Sequence, residues 1–121
     1  MKKVAVLFAA VIGITILLVG CSSVPEHVNL TGKWNYNFGK DLDNKGTMTL
    51  SQSDSDVSGV ANNLDGQYQI TGKLIGATFT YTGKSEKNEY TANCTLNSSD
   101  EFEGTYNSTT GTSGRVEATR Q

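Results

Sequence analysis

His27 is the only histidine in the chain, and it stands in a short polar stretch, Ser22 to Asn29, beside the only proline, Pro25. A nucleophilic Ser or Cys needs a positioned base, and a lone histidine on a linker supplies none. Cys94 shares its parity with Tyr90, Ala92 and Leu96, where a buried thiol stays protonated and inert. Glu101 and Glu103 share the opposite, wet parity of one short segment. The run Asp41-Leu42-Asp43-Asn44-Lys45-Gly46 has the outline of a calcium loop. Lys45, however, stands where the third oxygen ligand belongs, and no glutamate closes the loop. It reads as a solvated hairpin turn, and so does Asp54-Ser55-Asp56. The expectation is a protein that is not an enzyme, with no catalytic residues, no metal and no cofactor.

What remains is aromatic. Trp34, Tyr36, Tyr68, Tyr81, Tyr90 and Tyr106 all fall on the inward parity of their segments. Buried rings contribute large apolar area, and buried tyrosine hydroxyls need hydrogen-bond partners, which a ligand or ordered water can supply. Two roles fit these residues: the packed core, which is the first expectation, and the wall of a small-ligand site.

Strands must position such rings. Leu30, Gly32, Trp34, Tyr36 and Phe38 alternate with Thr31, Lys33, Asn35 and Asn37, the period of a half-buried strand. The same alternation returns around Met48 and Leu50, Tyr68 to Leu74, Phe79 and Tyr81, Tyr90 to Leu96, Phe102 to Tyr106, and most weakly Val116 and Ala118. Val57 to Ala61 adds a short strand. Gly, Asn, Asp and Ser fill the breaks, among them Gly39 to Gly46, Asn62 to Gly66, Gly83 to Asn88 and Thr109 to Gly114, which read as turns. No segment carries a helical period. One wet face, one dry face and no helix to cover the dry one favour a sheet closed on itself. The expected fold is all-β: a single antiparallel up-and-down barrel of about eight strands over residues 30–121.

One local pattern recurs: Leu30-Thr31-Gly32, Val57-Ser58-Gly59, Ile70-Thr71-Gly72 and Phe102-Glu103-Gly104. Glycines on the inward parity let strands coil and close. Leu30-Thr31-Gly32-Lys33-Trp34 resembles the first-strand Gly-x-Trp signature of avidin-like and lipocalin-like barrels, and Phe102-Glu103-Gly104-Thr105-Tyr106 resembles the avidin Gly-Thr-Tyr strands. The resemblance implies that Trp34 plugs one end. With Trp34 the only tryptophan, the avidin box of tryptophans around biotin has no counterpart here.

The chain opens differently. Lys2 and Lys3 precede Val4 to Val19, apolar but for Gly13 and Thr15, and no acidic residue appears before Glu26. A basic start, an apolar run and small residues at its end describe an export signal. The run is shorter than the ~20 residues that span a bilayer. Leu18-Val19-Gly20-Cys21 resembles the lipobox of bacterial lipoproteins. That resemblance implies cleavage after residue 20, a diacylglyceryl thioether and usually an N-acyl chain such as palmitate on Cys21, and a lipidated tether over residues 21–29. Two or three acyl chains anchor a protein stably where one does not. Ser22 resembles the sorting residue for the outer membrane of Gram-negative cells; with a single membrane, the anchor implies its outer face.

Removing 20 of the 121 residues leaves 101, enough for one small domain. The net charge of −2 includes Lys2 and Lys3, so the remainder stands near −4. An acidic surface gives no electrostatic case for nucleic acid. With Cys21 alkylated, Cys94 has no partner for a disulfide. The expected function is that of a non-enzymatic, cell-envelope lipoprotein whose barrel is an interaction or structural module for a protein partner. The alternative is a small apolar or aromatic ligand bound at the barrel mouth by the six aromatic residues.

Globomycin is expected to make the uncut precursor accumulate, and Cys21→Ala to yield an unlipidated protein. Immunoblots of membrane fractions and metabolic labelling with palmitate check both. Normal processing of the alanine variant removes the lipobox reading.

Overall fold

A computed structural model describes residues 28–121. Cys21, His27, the leader over residues 1–20 and most of the tether lie outside the described residues.

Eight strands follow one another: β1 (Gly32–Gly39), β2 (Asn44–Ser53), β3 (Asp56–Asn63), β4 (Gly66–Ile75), β5 (Thr78–Lys84), β6 (Glu89–Ser98), β7 (Glu101–Ser108) and β8 (Ser113–Arg120). Each pairs antiparallel with the next, and β8 returns to β1, so the sheet is a closed up-and-down barrel, as expected. Period-two patterning sorts the side chains. On β6, Ala92, Cys94 and Leu96 are buried while Thr91, Asn93 and Thr95 are exposed. The core is a single cluster of inward residues from every strand, with Val28 and Leu30 added from the entering segment.

The inward glycines have a steric duty. A Cβ on Gly59 of β3 would run into the Thr49 carbonyl of β2, and one on Gly104 of β7 into the Asn93 carbonyl of β6. The neighbouring backbones approach where those side chains are missing, and the sheet curls there. The strands also reach further than the turn residues suggest. Gly46, Gly83 and Gly114, expected in turns, belong to β2, β5 and β8.

One end of the barrel is plugged. Trp34, fully buried, donates its ring N–H to the Leu30 carbonyl at 2.9 Å and packs against Phe102 with ring centroids 5.1 Å apart. Below it the entering segment is strapped across the opening: Leu30 donates its N–H to Gln52 Oε1 at 2.8 Å, and Gln52 donates its own N–H to Thr31 Oγ1. Arg120, paired with Trp34 across the β1–β8 junction, lays its guanidinium 4.5 Å from the centre of the indole. Its Nε donates to Asp100, and its two terminal nitrogens donate to the carbonyls of Thr31, Asn29 and Ser99 at 2.7–2.9 Å.

Three ion pairs occur among the described residues, and two of them, Lys73–Asp56 and Arg115–Glu117, are well exposed on both sides. Exposed pairs contribute about 0–1 kcal/mol at most. Arg120 differs because its charge satisfies three carbonyls and covers an aromatic face while its own side chain is only 23 % exposed. Hydrogen bonds from charged groups contribute about 1.5–3 kcal/mol each in favourable sites. Arg120→Met, which keeps the aliphatic stem, is expected to lower stability by about 2 kcal/mol, since several such bonds go together. The readout is a lower urea midpoint with an unchanged slope; an unmoved midpoint shows that the closure holds without the arginine.

Candidate functional site

The turns over residues 40–43, 64–65, 85–88 and 109–112 cluster at the end opposite the plug. There the barrel holds a cavity of about 220 Å³. Five of its walls are rings predicted to face inward, Tyr36, Tyr68, Tyr81, Tyr90 and Tyr106, and Phe38 is the sixth. Trp34, the remaining aromatic expected at the site, is not part of it: it sits in the plug at the other end.

Space survives at the mouth because three tyrosines lie across glycines instead of pointing at the barrel axis. Tyr36 of β1 faces Gly46 of β2 in register, and a Cβ on that glycine would come within 2.6 Å of the ring. The ring thus passes over β2, and its hydroxyl accepts a hydrogen bond from Asn63 Nδ2 of β3 at 2.9 Å. Tyr90 of β6 covers Gly83 of β5 in the same way and meets Tyr68 of β4 edge-to-face, centroids 5.3 Å apart. Tyr106 of β7 covers Gly114 of β8 and meets Phe38 of β1 at 6.3 Å. Ring-over-glycine pairing is a known way to pin a sheet position that lacks a side chain.

The rings also link sideways. Tyr36 and Phe38 stand 5.5 Å apart, Tyr90 and Tyr106 5.9 Å, and Tyr81 reaches Tyr90 at 6.1 Å. Tyr81 forms the floor. Beneath it Phe79 is stacked at 4.8 Å, and Phe79 in turn meets Phe102. A graded arrangement results: dry and filled at the plug, ring-walled in the middle, polar at the rim. The rim side chains are neutral, as Asn44, Asn63, Asn88 and Thr110, with a single carboxylate, Asp65.

Burial keeps the hydroxyls protonated. It raises the pKa of Tyr36 and Tyr90, and it lifts that of the fully enclosed Tyr81 well above the ordinary value. Burial also raises Tyr106, and there and at Tyr36 the nearby charge of Asp65 adds to the effect. Cys94 is a buried thiol pushed up to about 12 by desolvation, which removes it from nucleophilic chemistry at neutral pH. Asp41 and Asp43 sit in the exposed turn at the mouth end, where Leu42 takes a left-handed conformation with φ 59°.

Parity along each strand carried the five tyrosines and also placed Phe38 inward, in line with Trp34 and Tyr36. It did not reach the rim. Asn63 and Asp65 stand in a stretch read as one turn, and Ser108, Thr110 and Thr112 surround another, where alternation gives no direction.

Similarity to known proteins is one of fold. No protein-family model matches the chain, and no curated protein does. Among solved structures, a de novo designed fluorescence-activating β-barrel superposes with a TM-score of 0.61 at 16% identity, covering 77% of this chain and 94% of that one. A redesigned β-barrel, mFAP1, bound to DFHBI, superposes with a TM-score of 0.51 at 13% identity, covering 76% and 94%.

The raised values set a pH dependence. Above pH 9 the unfolded chain releases the Cys94 proton that the folded chain holds until about 12, and above the ordinary 10.0 the same applies to Tyr36, Tyr81, Tyr90 and Tyr106. The folded state then binds more protons than the unfolded, so stability falls with rising pH. Unfolding free energy is expected to drop as the pH rises from 9 to 12. Ultraviolet titration of tyrosinate on the native protein is the companion measurement: Tyr36, Tyr81, Tyr90 and Tyr106 ionise late or only on unfolding. Titration of these four together near the free value would contradict the enclosure.

Proposed function

We propose that the protein is a small-ligand-binding barrel, exported and held at the cell envelope by lipid on Cys21, and that its ligand sits among the tyrosines of the open end. The observation that carries this reading is the mouth cavity of about 220 Å³. An apolar cavity of about 150 Å³ already accepts a benzene-sized guest, while drug-sized ligands occupy about 300–1,000 Å³. The guest is therefore a fragment-sized molecule with an apolar surface. That the redesigned barrel of the same fold is described bound to DFHBI supports the choice of a small ligand for this architecture.

The chain enters at the plugged end, where Asn29 and Thr31 meet Arg120. A tether from Cys21 to that end leaves the mouth facing away from the membrane, open to solutes. The reading is of a binding protein, and the only thiol among the described residues, Cys94, is buried and held protonated, which leaves it no nucleophilic role at neutral pH. A role as a module for a protein partner has less behind it. The exposed apolar residues Leu64 and Ile75 lie at opposite ends of β3–β4, and single exposed apolar residues are ordinary.

Amide-resolved NMR titration with indole and p-cresol tests the reading. Shifts are expected at the mouth ends of the strands and in the four adjoining turns, and not around Trp34. Val116→Phe, which fills the cavity from β8, is expected to weaken binding at least about tenfold while circular dichroism still shows a β-barrel. Absence of shifts with either probe, or shifts centred on the plug, counts against the site.

A further inference from the structure

The cavity's electrostatics select among small ligands. Six ring systems wall it, and the only formal charge on its lining is the Asp65 carboxylate; among the described residues no lysine or arginine lines it. Lys40 and Lys87 in the mouth turns, and Lys45 and Lys84 at the adjoining ends of β2 and β5, are all exposed and none of the four is on the lining. Asp65 enters none of the ion pairs. Its negative field reaches the hydroxyls of Tyr36 on β1 and Tyr106 on β7, from two different parts of the wall.

Each ring presents a negative face, and several rings around one volume sum to an attractive site for a cation. An anion would meet ring faces and a carboxylate with no counter-charge, a combination that costs desolvation without return. A primary ammonium would bring three donors into a volume whose floor, Tyr81 over Phe79, is aromatic. A quaternary ammonium brings charge without donors and an apolar methyl surface that ring faces accept.

Building on the small-ligand reading above, we infer that the mouth is an aromatic cage for an organic cation, a trimethylammonium headgroup of choline size, with Asp65 as the counter-charge at the rim. The rings hold the methyl groups, and the carboxylate biases the approach from solvent. The cavity, smaller than a drug-sized pocket, suits a headgroup of this kind.

Calorimetric and NMR titrations on the mature protein, with choline, its neutral isostere 3,3-dimethylbutan-1-ol and ethanolamine as probes, test the inference. Choline is expected to bind about tenfold or more tighter than both others, the scale of a desolvated cation–π site. Asp65→Asn is expected to weaken choline several-fold and to leave the isostere within about twofold. Tyr90→Phe keeps the ring face and is expected to preserve choline binding, whereas Tyr90→Leu is expected to lose about tenfold. An isostere that binds as well as choline overturns the cation preference and leaves the small-ligand reading standing. So does binding of indole but not choline. Failure of every probe overturns both.

Discussion

The rest of the structure depends on the closure of β8 onto β1. Seven of the eight strand pairings join neighbours in sequence, and this one joins Trp34 to Arg120. Without it the sheet has two free edges and a dry face that no helix covers. The guanidinium over the indole, with its bonds to Asp100 and to the carbonyls of the entering segment, ties the first strand, the last strand and the strap into one plug. Because the bulk of Trp34, Phe102, Phe79 and Leu30 is spent at that end, the narrow interior of an eight-stranded barrel fills from below. The ring-walled space lies at the other end.

Whether that space exists is decided by glycine. Tyrosine side chains pointing at the axis would close an eight-stranded mouth. Here Tyr36, Tyr90 and Tyr106 each recline over a neighbour with no side chain, so their faces line the wall and their hydroxyls reach toward the next strand or the rim. Stability and emptiness come from one arrangement: the rings cover bare backbone, and by doing so they leave the centre open. Enclosure then keeps these phenols neutral, so that the only formal charge on the cavity lining is a single carboxylate.

Much of this was legible in the residues, and the exceptions have physical causes. Alternation placed seven of the eight strands, with Val57 to Ala61 added between turns, and turned the five tyrosines and Phe38 inward, because a strand's side-chain period is fixed by its backbone. The glycines at 32, 59, 72 and 104 announced curling. Gly46, Gly83 and Gly114 misled, since a glycine beside Asn, Lys or Ser has the composition of a turn, and only the register with Tyr36, Tyr90 and Tyr106 reveals what it makes room for. Trp34 was grouped with the tyrosines by parity, which tells the face of the sheet but not the height along the barrel. Arg120, at the end of the weakest strand, carried no signal at all. Two of its partners, Asn29 and Thr31, lie about ninety residues upstream and two, Ser99 and Asp100, about twenty, and pairings that distant leave no local pattern.

The meander has one more consequence. Arg120 holds Asn29 directly, so the two limits of the barrel's chain lie side by side beneath the plug. Topologically the barrel is a ring of hairpins, and the point at which the chain enters and leaves it is interchangeable with the tight turn at Gly76, on the same side. A circularly permuted barrel, joined between Asn29 and Arg120 and opened at Gly76, would keep the same walls and the same opening. The barrel can thus be spliced into a host protein by its base without disturbing what its far end holds.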